Sequence, residues 1–168
     1  NKDKQLYNYY KNIGVLVGGE MVSKELAHSL TSAFDNVWNV YGPTEATIWA
    51  TAKKLSVTDE VVTIGPPLHN YEAYILDDDH EIVQKNVVGK LFLAGEGLAK
   101  GYYKREELTR ERFINASIDG TEKRIYDTGD LARYLSNGEI EVIGRADDQV
   151  KLSGYRIELG EIQSVIDK

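Results

Sequence analysis

A hydroxyl and a carboxylate stand side by side in the segment NVYGPTEATIW, which runs from Asn39 to Trp49. Val37 to Val40 has the apolar character of a short strand, and Gly42-Pro43 ends it. Thr44 and Glu45 follow at once. A turn needs the glycine and the proline, but it has no use for an acid. Either a helix begins here with an acid in its first turn, or the hydroxyl and the carboxylate act together on a ligand.

The residues before this segment predict the elements that would position it. Ile13 to Val17 is an apolar run closed by two glycines, as in a buried strand of a parallel sheet. Ser23 is a candidate N-cap, and apolar residues recur after it at helical spacing: Leu26, Leu30 and Phe34. Strand, helix and strand form one βαβ unit. Ligands of open α/β sheets bind beyond the carboxyl ends of the strands, so the loop at Tyr41 to Glu45 is a candidate ligand site.

The pattern changes after Gly65-Pro66-Pro67 to that of an antiparallel β unit. The candidate strands are Glu72–Leu76, Lys90–Ala94, Arg124–Tyr134 and Ile140–Gly144, with one helix from Glu106 to Phe113 among them. The third strand carries a break at Gly129. Asn137-Gly138 predicts a hairpin of type I′, because both residues tolerate positive φ angles. We therefore predict a small antiparallel barrel or sandwich here.

The last residues have the pattern of another unit. Arg145 to Asp148 is charged and lacks apolar periodicity, as a linker does. A short strand at Val150 to Leu152, a glycine turn and a helix from Leu159 come next. One strand and one helix cannot bury a core, so we expect this unit to continue beyond Lys168.

Composition excludes several classes of protein. Of 168 residues, 42% are apolar and 10% are aromatic, which fits a folded protein. The formal charge of −7 argues against a nucleic acid or an anionic membrane as partner. Cysteine is absent, which excludes disulfides and thiolate metal sites within these residues. No apolar run reaches the length of about 18 residues that a membrane span needs, and we expect a cytoplasmic protein.

Three segments in order carry a family resemblance. They are NVYGPTEATIW, then KLFLAGEGLAKGYYKREELTRERF, then YDTGDLARYLSNGEIEVIGRADDQVKLSGYRIELGEI. Together they resemble the adenylate-forming superfamily, and within it the amino-acid-activating adenylation domains of nonribosomal peptide synthetases. A lone Thr-Gly-Asp would be weak support, but three long matches in this order are specific.

The resemblance implies a fold class of α/β plus β and parts of two domains. Residues 1–144 would be the C-terminal part of the large domain, with a remnant of its α/β sheet in 1–65 and a β-barrel unit in 66–144. Residues 145–168 would be the hinge and the start of a small α+β domain. The family's phosphate loop and its acid for the substrate amine would precede Asn1, and its C-terminal lysine would follow Lys168. We therefore expect no turnover by the chain alone.

The implied reaction has two steps. A carboxylate attacks the α-phosphate of ATP and pyrophosphate leaves, and the thiol of a phosphopantetheine arm on a carrier protein then takes the acyl group. Such chemistry needs positioning and neutralisation of charge more than a general base. By resemblance, Thr44 and Glu45 would be the catalytic pair. Thr44 would hold an α-phosphate oxygen, and Glu45 would help to hold Mg²⁺, which prefers oxygen ligands. Gly42 would let the backbone approach the nucleotide.

Further positions match the family's nucleotide site. The adenine would lie against Tyr41 and against the Gly-Gly-Glu turn at Gly19 and Glu20. Asp130 matches an aspartate that accepts hydrogen bonds from both ribose hydroxyls; taken alone, it would be a turn residue. Arg145 matches an arginine that reaches the ribose and the phosphates; taken alone, it would be a surface residue.

Two positions in the last segment match moving parts of the family. Asp147 matches the hinge about which the small domain swings between its adenylate-forming and thioester-forming poses; otherwise it is a linker acid. Gly154 matches a loop at the pantetheine tunnel. Asp127 and Ser153 depart from the family's usual basic residues. We expect the first departure to be tolerated at a solvated edge, and we carry over no contact from Ser153.

The positions that match the family's substrate pocket are Leu16, Gly18, Val40, Ile48 and Trp49. A tryptophan at the floor of a pocket fills the volume that a large substrate would need. The combination resembles pockets for glycine, with cysteine or another small amino acid as the next choice. Trp49 could also be plain core, which does not exclude the role.

Two rival functions fit the same residues. One is a stand-alone acyl-CoA or D-alanine–carrier ligase of the same superfamily, from which GPTEAT separates this chain poorly. The other is a non-catalytic nucleotide-binding or scaffolding module that kept the fold. The expected partners are an amino acid, a peptidyl carrier domain and other synthetase modules, with no nucleic acid or membrane.

Overall fold

The computed structural model describes residues 13–152 and 155–166, which form three β-sheets. The first sheet begins with β1 (Gly14–Gly18), continues through helix α1 (Lys24–Ala33) to β2 (Asn36–Tyr41), and ends with β3 (Thr51–Lys54). β1 and β2 pair in parallel, whereas β3 pairs with β2 in the antiparallel direction. The predicted βαβ unit is confirmed, and β3 is a strand that we did not predict.

Helix α1 begins where the sequence indicates. The Ser23 side chain accepts a hydrogen bond from the Leu26 N–H at 3.2 Å, which satisfies one of the free donors of the first turn. Leu30 and Phe34 pack on a core around the fully buried Val37. Leu26 is 45% exposed, so only two of the three apolar residues predicted on this face lie against the sheet.

The second sheet has five antiparallel strands. They are β4 (Tyr71–Leu76), β5 (Gly89–Gly95), β6 (Phe113–Ile118), β7 (Thr121–Tyr134) and β8 (Ile140–Arg145), with helix α2 (Glu106–Arg112) before β6. Their spatial order is β4-β5-β7-β6, and β8 also pairs with β7. The long strand β7 pairs with β6 along its first half and with β8 along its second. The predicted break falls between these halves at Gly129, whose φ is +72°.

Apolar residues cover both faces of the second sheet. Leu76 and Phe92 belong to one buried cluster, while their sequence neighbours Ile75 and Leu91 belong to another. Successive residues of a strand point to opposite faces, so the sheet is buried on both sides. Tyr41 of β2 packs on the second cluster. This contact brings the carboxyl end of β2 against the second sheet.

The hairpin between β7 and β8 differs from the predicted type I′ turn. Of the two central residues, only Gly138 has a positive φ, at +86°. The Gly138 N–H donates to the Leu135 carbonyl, and the Leu135 N–H donates to the Glu139 carbonyl, both at 2.8 Å. This is a three-residue loop that ends in a left-handed glycine. Asn137 keeps a negative φ, and its side chain accepts the Glu139 N–H at 3.0 Å, as in an Asx turn.

The third sheet is a hairpin of β9 (Gln149–Leu152) and β10 (Tyr155–Glu158), followed by helix α3 (Leu159–Ile166). The first strand and the helix agree with the prediction, whereas β10 was not predicted. Ser153 and Gly154 lie outside the described residues. Among residues 13–152 and 155–166, no helix is both long enough and apolar enough to cross a membrane.

Glu139 joins the first two sheets through polar contacts. Its carboxylate forms an ion pair with Lys53 of β3 and accepts a hydrogen bond from the Thr63 hydroxyl at 2.9 Å. The backbone adds a bond from the Ile64 N–H to the Ile140 carbonyl at 2.9 Å. The hydrogen bond from Lys53 lowers the pKa of Glu139, and this outweighs the opposing effect of burial.

Replacing Glu139 with glutamine is therefore expected to lower the free energy of unfolding by about 1 kcal/mol at neutral pH. A carboxyl group whose pKa is depressed by folding stabilises the protein above its unfolded pKa, and this stabilisation is lost as the pH falls through the folded value. The difference between the two proteins should thus shrink below about pH 4. Denaturant titrations across this range would measure it, with the exposed Glu122→Gln as control. A difference that persists unchanged in acid would contradict the ion pair.

Candidate functional site

A cavity of about 340 Å³ lies where the carboxyl end of β2 meets β7, β8 and the start of β9. Seven of the residues predicted from the family resemblance line it: Gly19, Glu20, Val40, Tyr41, Gly42, Asp130 and Arg145. These residues come from four separate parts of the chain. The fold therefore brings together the glycine turn, the end of β2 with its loop, the Thr-Gly-Asp strand β7 and the end of β8, as the resemblance implies.

Tyr41 and Asp130 are joined across the cavity wall. The Tyr41 hydroxyl donates to Oδ2 of Asp130 at 2.5 Å, although 89 residues separate the two in sequence. Burial raises the pKa of Tyr41 well above its ordinary value, and the negative charge of Asp130 raises it further. Tyr41 therefore stays a hydrogen-bond donor at any physiological pH. Asp130 itself is 8% exposed, and its N–H donates to the Thr128 hydroxyl at 3.0 Å.

Arg145 is the centre of the polar network. Its Nε and Nη2 hold the two oxygens of Asp147 at 2.8 and 2.6 Å, and its Nη1 donates to Oδ1 of Asp130 at 3.0 Å. Further bonds run to the Thr128 carbonyl at 2.7 Å and to the Gln149 side-chain oxygen at 3.0 Å. Burial opposes the charge of Arg145, but the two carboxylates outweigh it and raise the pKa. All five donors of the guanidinium are engaged, so a ligand must displace a partner to bind it.

Gly129 makes room for this arrangement. A Cβ atom at this position would lie 2.5 Å from Nη2 of Arg145 and 2.7 Å from Oδ2 of Asp147. The residue also has a left-handed φ of +72°, which a side chain disfavours. The glycine of Thr-Gly-Asp thus allows the turn in β7 and the approach of the guanidinium to it.

Thr44 and Glu45 point to different surroundings. They begin a single 3₁₀ turn of three residues, Thr44–Ala46. The alternative that an ordinary α-helix begins here is therefore not what the structure has. Thr44 is exposed, whereas Glu45 is 6% exposed and accepts a hydrogen bond from the Tyr102 hydroxyl on Oε1 at 2.6 Å. Neither belongs to the lining of the cavity, although Gly42 just before them does.

The ligand types near the turn suit one kind of metal site. In the part of the chain that the structure describes, no three His, Asp or Glu side chains gather into a site made by protein alone. Mg²⁺ at a nucleotide takes one or two carboxylates and completes its shell with phosphate oxygens and water. Glu45 fits this requirement, because it is a buried carboxylate next to the cavity-lining loop.

The five predicted substrate-pocket positions fall into two groups. Leu16, Gly18 and Val40 share one face of the first sheet, since Gly18 and Val40 are direct partners and Leu16 lies two residues before Gly18. Ile48 and Trp49 lie in the loop before β3, with 68% and 42% of their surface exposed. Val40 alone among the five lines the cavity described above. The pocket role of these residues stays a prediction.

Two of the predicted glycines have local packing reasons as well. A Cβ at Gly18 would lie 2.1 Å from the Val40 carbonyl oxygen, so a side chain would force β1 and β2 apart. A Cβ at Gly42 would lie 2.6 Å from the Ile48 carbonyl oxygen and 2.7 Å from the Ala50 nitrogen. Gly42 therefore lets the loop close on itself, with the Ala50 N–H donating to the Tyr41 carbonyl at 2.8 Å.

Sequence reasoning missed two polar residues of the cavity lining. Asn39 is buried in β2, and its side-chain amide donates to the Thr63 carbonyl at 2.9 Å. Gln149 is buried at the start of β9 and binds Arg145. The sequence did offer a signal for Asn39, since it is a polar amide within an otherwise apolar strand. Burial of an amide costs free energy unless it has hydrogen-bond partners.

Comparison with known proteins identifies the family of this chain. The family model described as AMP-binding enzyme matches residues 2–103. The chain is 44% identical over 155 residues to tyrocidine synthase 2 of Brevibacillus parabrevis, covering 90% of this chain and 4% of that protein. It is 45% identical over 157 residues to the dimodular nonribosomal peptide synthase of Bacillus subtilis (strain 168), with coverage of 93% and 7%. The chain thus spans a small fraction of the curated relatives that it matches.

Two solved structures match the fold. One is a nonribosomal peptide synthetase protein containing adenylation and PCP domains, bound to a vinylsulfonamide inhibitor, with a TM-score of 0.84 and 30% identity over 91% of this chain and 28% of that one. The other is a four-domain nonribosomal peptide synthetase bound to AMP and glycine, with a TM-score of 0.77 and 38% identity over 94% of this chain and 12% of that one. The chain belongs to the AMP-binding enzyme family, as a segment with the sequence and fold of a nonribosomal peptide synthetase adenylation domain.

Proposed function

We propose that the chain is the part of an adenylation domain that binds the nucleoside of ATP during activation of an amino acid. Tyr41, Asp130 and Arg145 meet at the cavity beyond the carboxyl end of β2, and this convergence carries the proposal. In the proposed reaction, a carboxylate oxygen of the amino acid attacks the α-phosphorus of ATP and pyrophosphate departs. The thiol of a phosphopantetheine arm then displaces AMP from the acyl-adenylate and forms a thioester.

The cavity residues have separate tasks in this proposal. The Tyr41 ring and the turn at Gly19 and Glu20 hold the adenine, and the Asp130 carboxylate accepts the ribose hydroxyls. Asp130 can do this while it keeps Tyr41 and Arg145, because a carboxylate offers about four acceptor sites. Arg145 reaches the ribose and phosphates only after exchanging one of its present partners.

Thr44 and Glu45 act at the phosphates in the same proposal. The exposed Thr44 hydroxyl donates to an α-phosphate oxygen, and Glu45 contributes a carboxylate oxygen to Mg²⁺. When bound, the ion neutralises negative charge on the phosphates. The protein's part is to hold the carboxylate in place, and the burial of Glu45 supports this.

Asp147 is the proposed hinge between the large domain, up to residue 144, and the small domain. It binds Arg145 through both oxygens and lies 3.6 Å from Nη2 of Arg112. A swing about this position would change these ion pairs. Gly154, proposed to lie at the pantetheine tunnel, is outside the part of the chain that the structure describes.

The proposed substrate is a small amino acid, with glycine as the first choice. Trp49 and Gly18 support this, and the solved four-domain relative was bound to AMP and glycine. A PCP domain and further synthetase modules are the proposed partners, as in the relatives' own composition. We also propose that these 168 residues do not turn over by themselves, in line with their 28% share of the solved adenylation and PCP protein.

Amino-acid-dependent exchange of pyrophosphate into ATP tests the proposal. A complete adenylation domain that carries these residues would be assayed with each common amino acid and with simple carboxylic acids. Exchange that requires one small amino acid is expected, since the reverse of adenylation needs the acyl-adenylate. Exchange with simple carboxylic acids alone would indicate an acyl-CoA type of ligase. Nucleotide binding without any exchange would indicate a non-catalytic module.

A further inference from the structure

Tyr102 reaches from the second sheet to the carboxylate of Glu45. It lies in the segment between β5 and α2, 57 residues after Glu45, and its hydroxyl donates to Oε1 at 2.6 Å. The distance is typical of a strong bond between a hydroxyl and a carboxylate. Neither the family resemblance nor the sequence patterns gave Tyr102 a role.

The position of the Tyr102 side chain is well determined by its surroundings. Its N–H donates to the Thr109 hydroxyl at 2.9 Å, and that hydroxyl in turn donates to the Arg105 carbonyl at 2.8 Å. Its ring meets Phe113 edge to face, with centroids 5.7 Å apart. Gly101 before it has a φ of +147°, and a Cβ there would lie 2.4 Å from the Thr109 methyl group. The segment therefore presents the hydroxyl from a fixed direction.

The same segment holds the backbone of the turn that carries Glu45. The Ala99 N–H donates to the Glu45 carbonyl at 2.7 Å, and the Thr47 hydroxyl donates to the Gly97 carbonyl at 2.7 Å. The Tyr71 hydroxyl of β4 donates to the Ala46 carbonyl at 2.8 Å. Backbone and side chain of Glu45 are thus both bound by the segment that follows β5. The position of the carboxylate depends on that segment as much as on its own loop.

We propose that Tyr102 is a positioning residue that orients the Glu45 carboxylate for Mg²⁺. The inference rests on the proposed function, in which Glu45 is a ligand of the ion. A carboxylate that binds a metal through one oxygen is commonly oriented by a hydrogen bond to its other oxygen, and loss of such a bond weakens metal binding by about 10- to 100-fold. Tyr102 supplies such a bond to Oε1 of Glu45.

Tyr102→Phe removes the hydroxyl and keeps the ring that packs on Phe113. In a complete adenylation domain with a non-hydrolysable ATP analogue bound, the variant is expected to weaken Mg²⁺ binding by about 10-fold or more. Calorimetry with Mg²⁺, or electron paramagnetic resonance with Mn²⁺, measures this without turnover. AMP binds without the metal, so its affinity should stay unchanged. The neighbouring Tyr103→Phe is the matched control, because Tyr103 is 86% exposed.

Glu45→Gln separates the two proposals, because glutamine still accepts a hydrogen bond from Tyr102 but lacks the charge. If Glu45→Gln loses Mg²⁺ binding and Tyr102→Phe binds Mg²⁺ more weakly, the results support both the role of Glu45 as a ligand and the role of Tyr102. If Glu45→Gln loses Mg²⁺ binding but Tyr102→Phe keeps its full Mg²⁺ affinity, the role of Tyr102 is overturned and Glu45 remains a ligand. Unchanged binding in Glu45→Gln overturns both. A Tyr102→Phe variant that loses AMP affinity to the same extent would show a general structural role and overturn the inference.

Discussion

Replacing Asp130 with alanine in a complete adenylation domain is expected to raise the KM for ATP by about 30-fold or more, which corresponds to roughly 2 kcal/mol or more. The substitution removes the proposed acceptor for both ribose hydroxyls. It also takes from Tyr41 the oxygen that its hydroxyl binds and from Arg145 one of its two carboxylates. Pyrophosphate exchange at varied ATP concentrations measures the effect.

Asp130→Asn and Asp78→Ala make this result interpretable. Asparagine keeps the shape and one acceptor oxygen, so its effect should be smaller than that of alanine. The Asp78 side chain is 91% exposed and forms an ion pair with Lys90. Asp78→Ala should therefore leave the KM for ATP unchanged. If Asp130→Ala changed stability without changing the KM for ATP, Asp130 would be a residue of the turn alone.

The elements with strong local signals could be predicted from sequence. An apolar run predicts β1, and a serine cap followed by apolar residues at helical spacing predicts α1. With β2 they form the predicted βαβ unit. β3 was missed because its four residues, TAKK, have little apolar character and follow a turn in which Thr47 and Ile48 adopt positive φ without glycine. β3 pairs with β2 along its whole length, and that contact is invisible in a single sequence.

Residue types of the site were easier to predict than their directions. Tyr41, Asp130 and Arg145 meet at one cavity, as the family resemblance implies. The orientation of Glu45 was not predictable, because it depends on Tyr102, 57 residues away. The sequence also did not show that every donor of the Arg145 guanidinium is engaged. This follows from five hydrogen bonds, whose acceptors come together in the folded chain. Side-chain direction is set by tertiary contacts, and local patterns carry no record of these.

The size of the accepted amino acid depends on Trp49 in the proposed function. Trp49 lies in the loop after the 3₁₀ turn, and 42% of its surface is exposed. Gly18, another predicted pocket position, has no room for a side chain, because a Cβ there would meet the Val40 carbonyl oxygen at 2.1 Å. Trp49 is the largest of the five residues predicted for the pocket, so in the proposed function we expect it to limit the pocket volume most.

Trp49→Ala is expected to let a larger amino acid into the pocket of a complete adenylation domain. The substitution removes on the order of 100 Å³ of side chain, provided that the neighbours do not collapse into the space. Discrimination by volume amounts to about 1–3 kcal/mol per methylene, so the unaltered enzyme should favour glycine over alanine by about 10- to 200-fold and reject phenylalanine. A pyrophosphate-exchange panel over the common amino acids would show the shift as a change in relative kcat/KM. Tyr103→Ala is the control, because Tyr103 is another large aromatic residue, is 86% exposed and is not among the predicted pocket positions. Strong activity of the unaltered enzyme with phenylalanine or tyrosine, or the same shift in Tyr103→Ala, would show that Trp49 does not form the floor of the pocket.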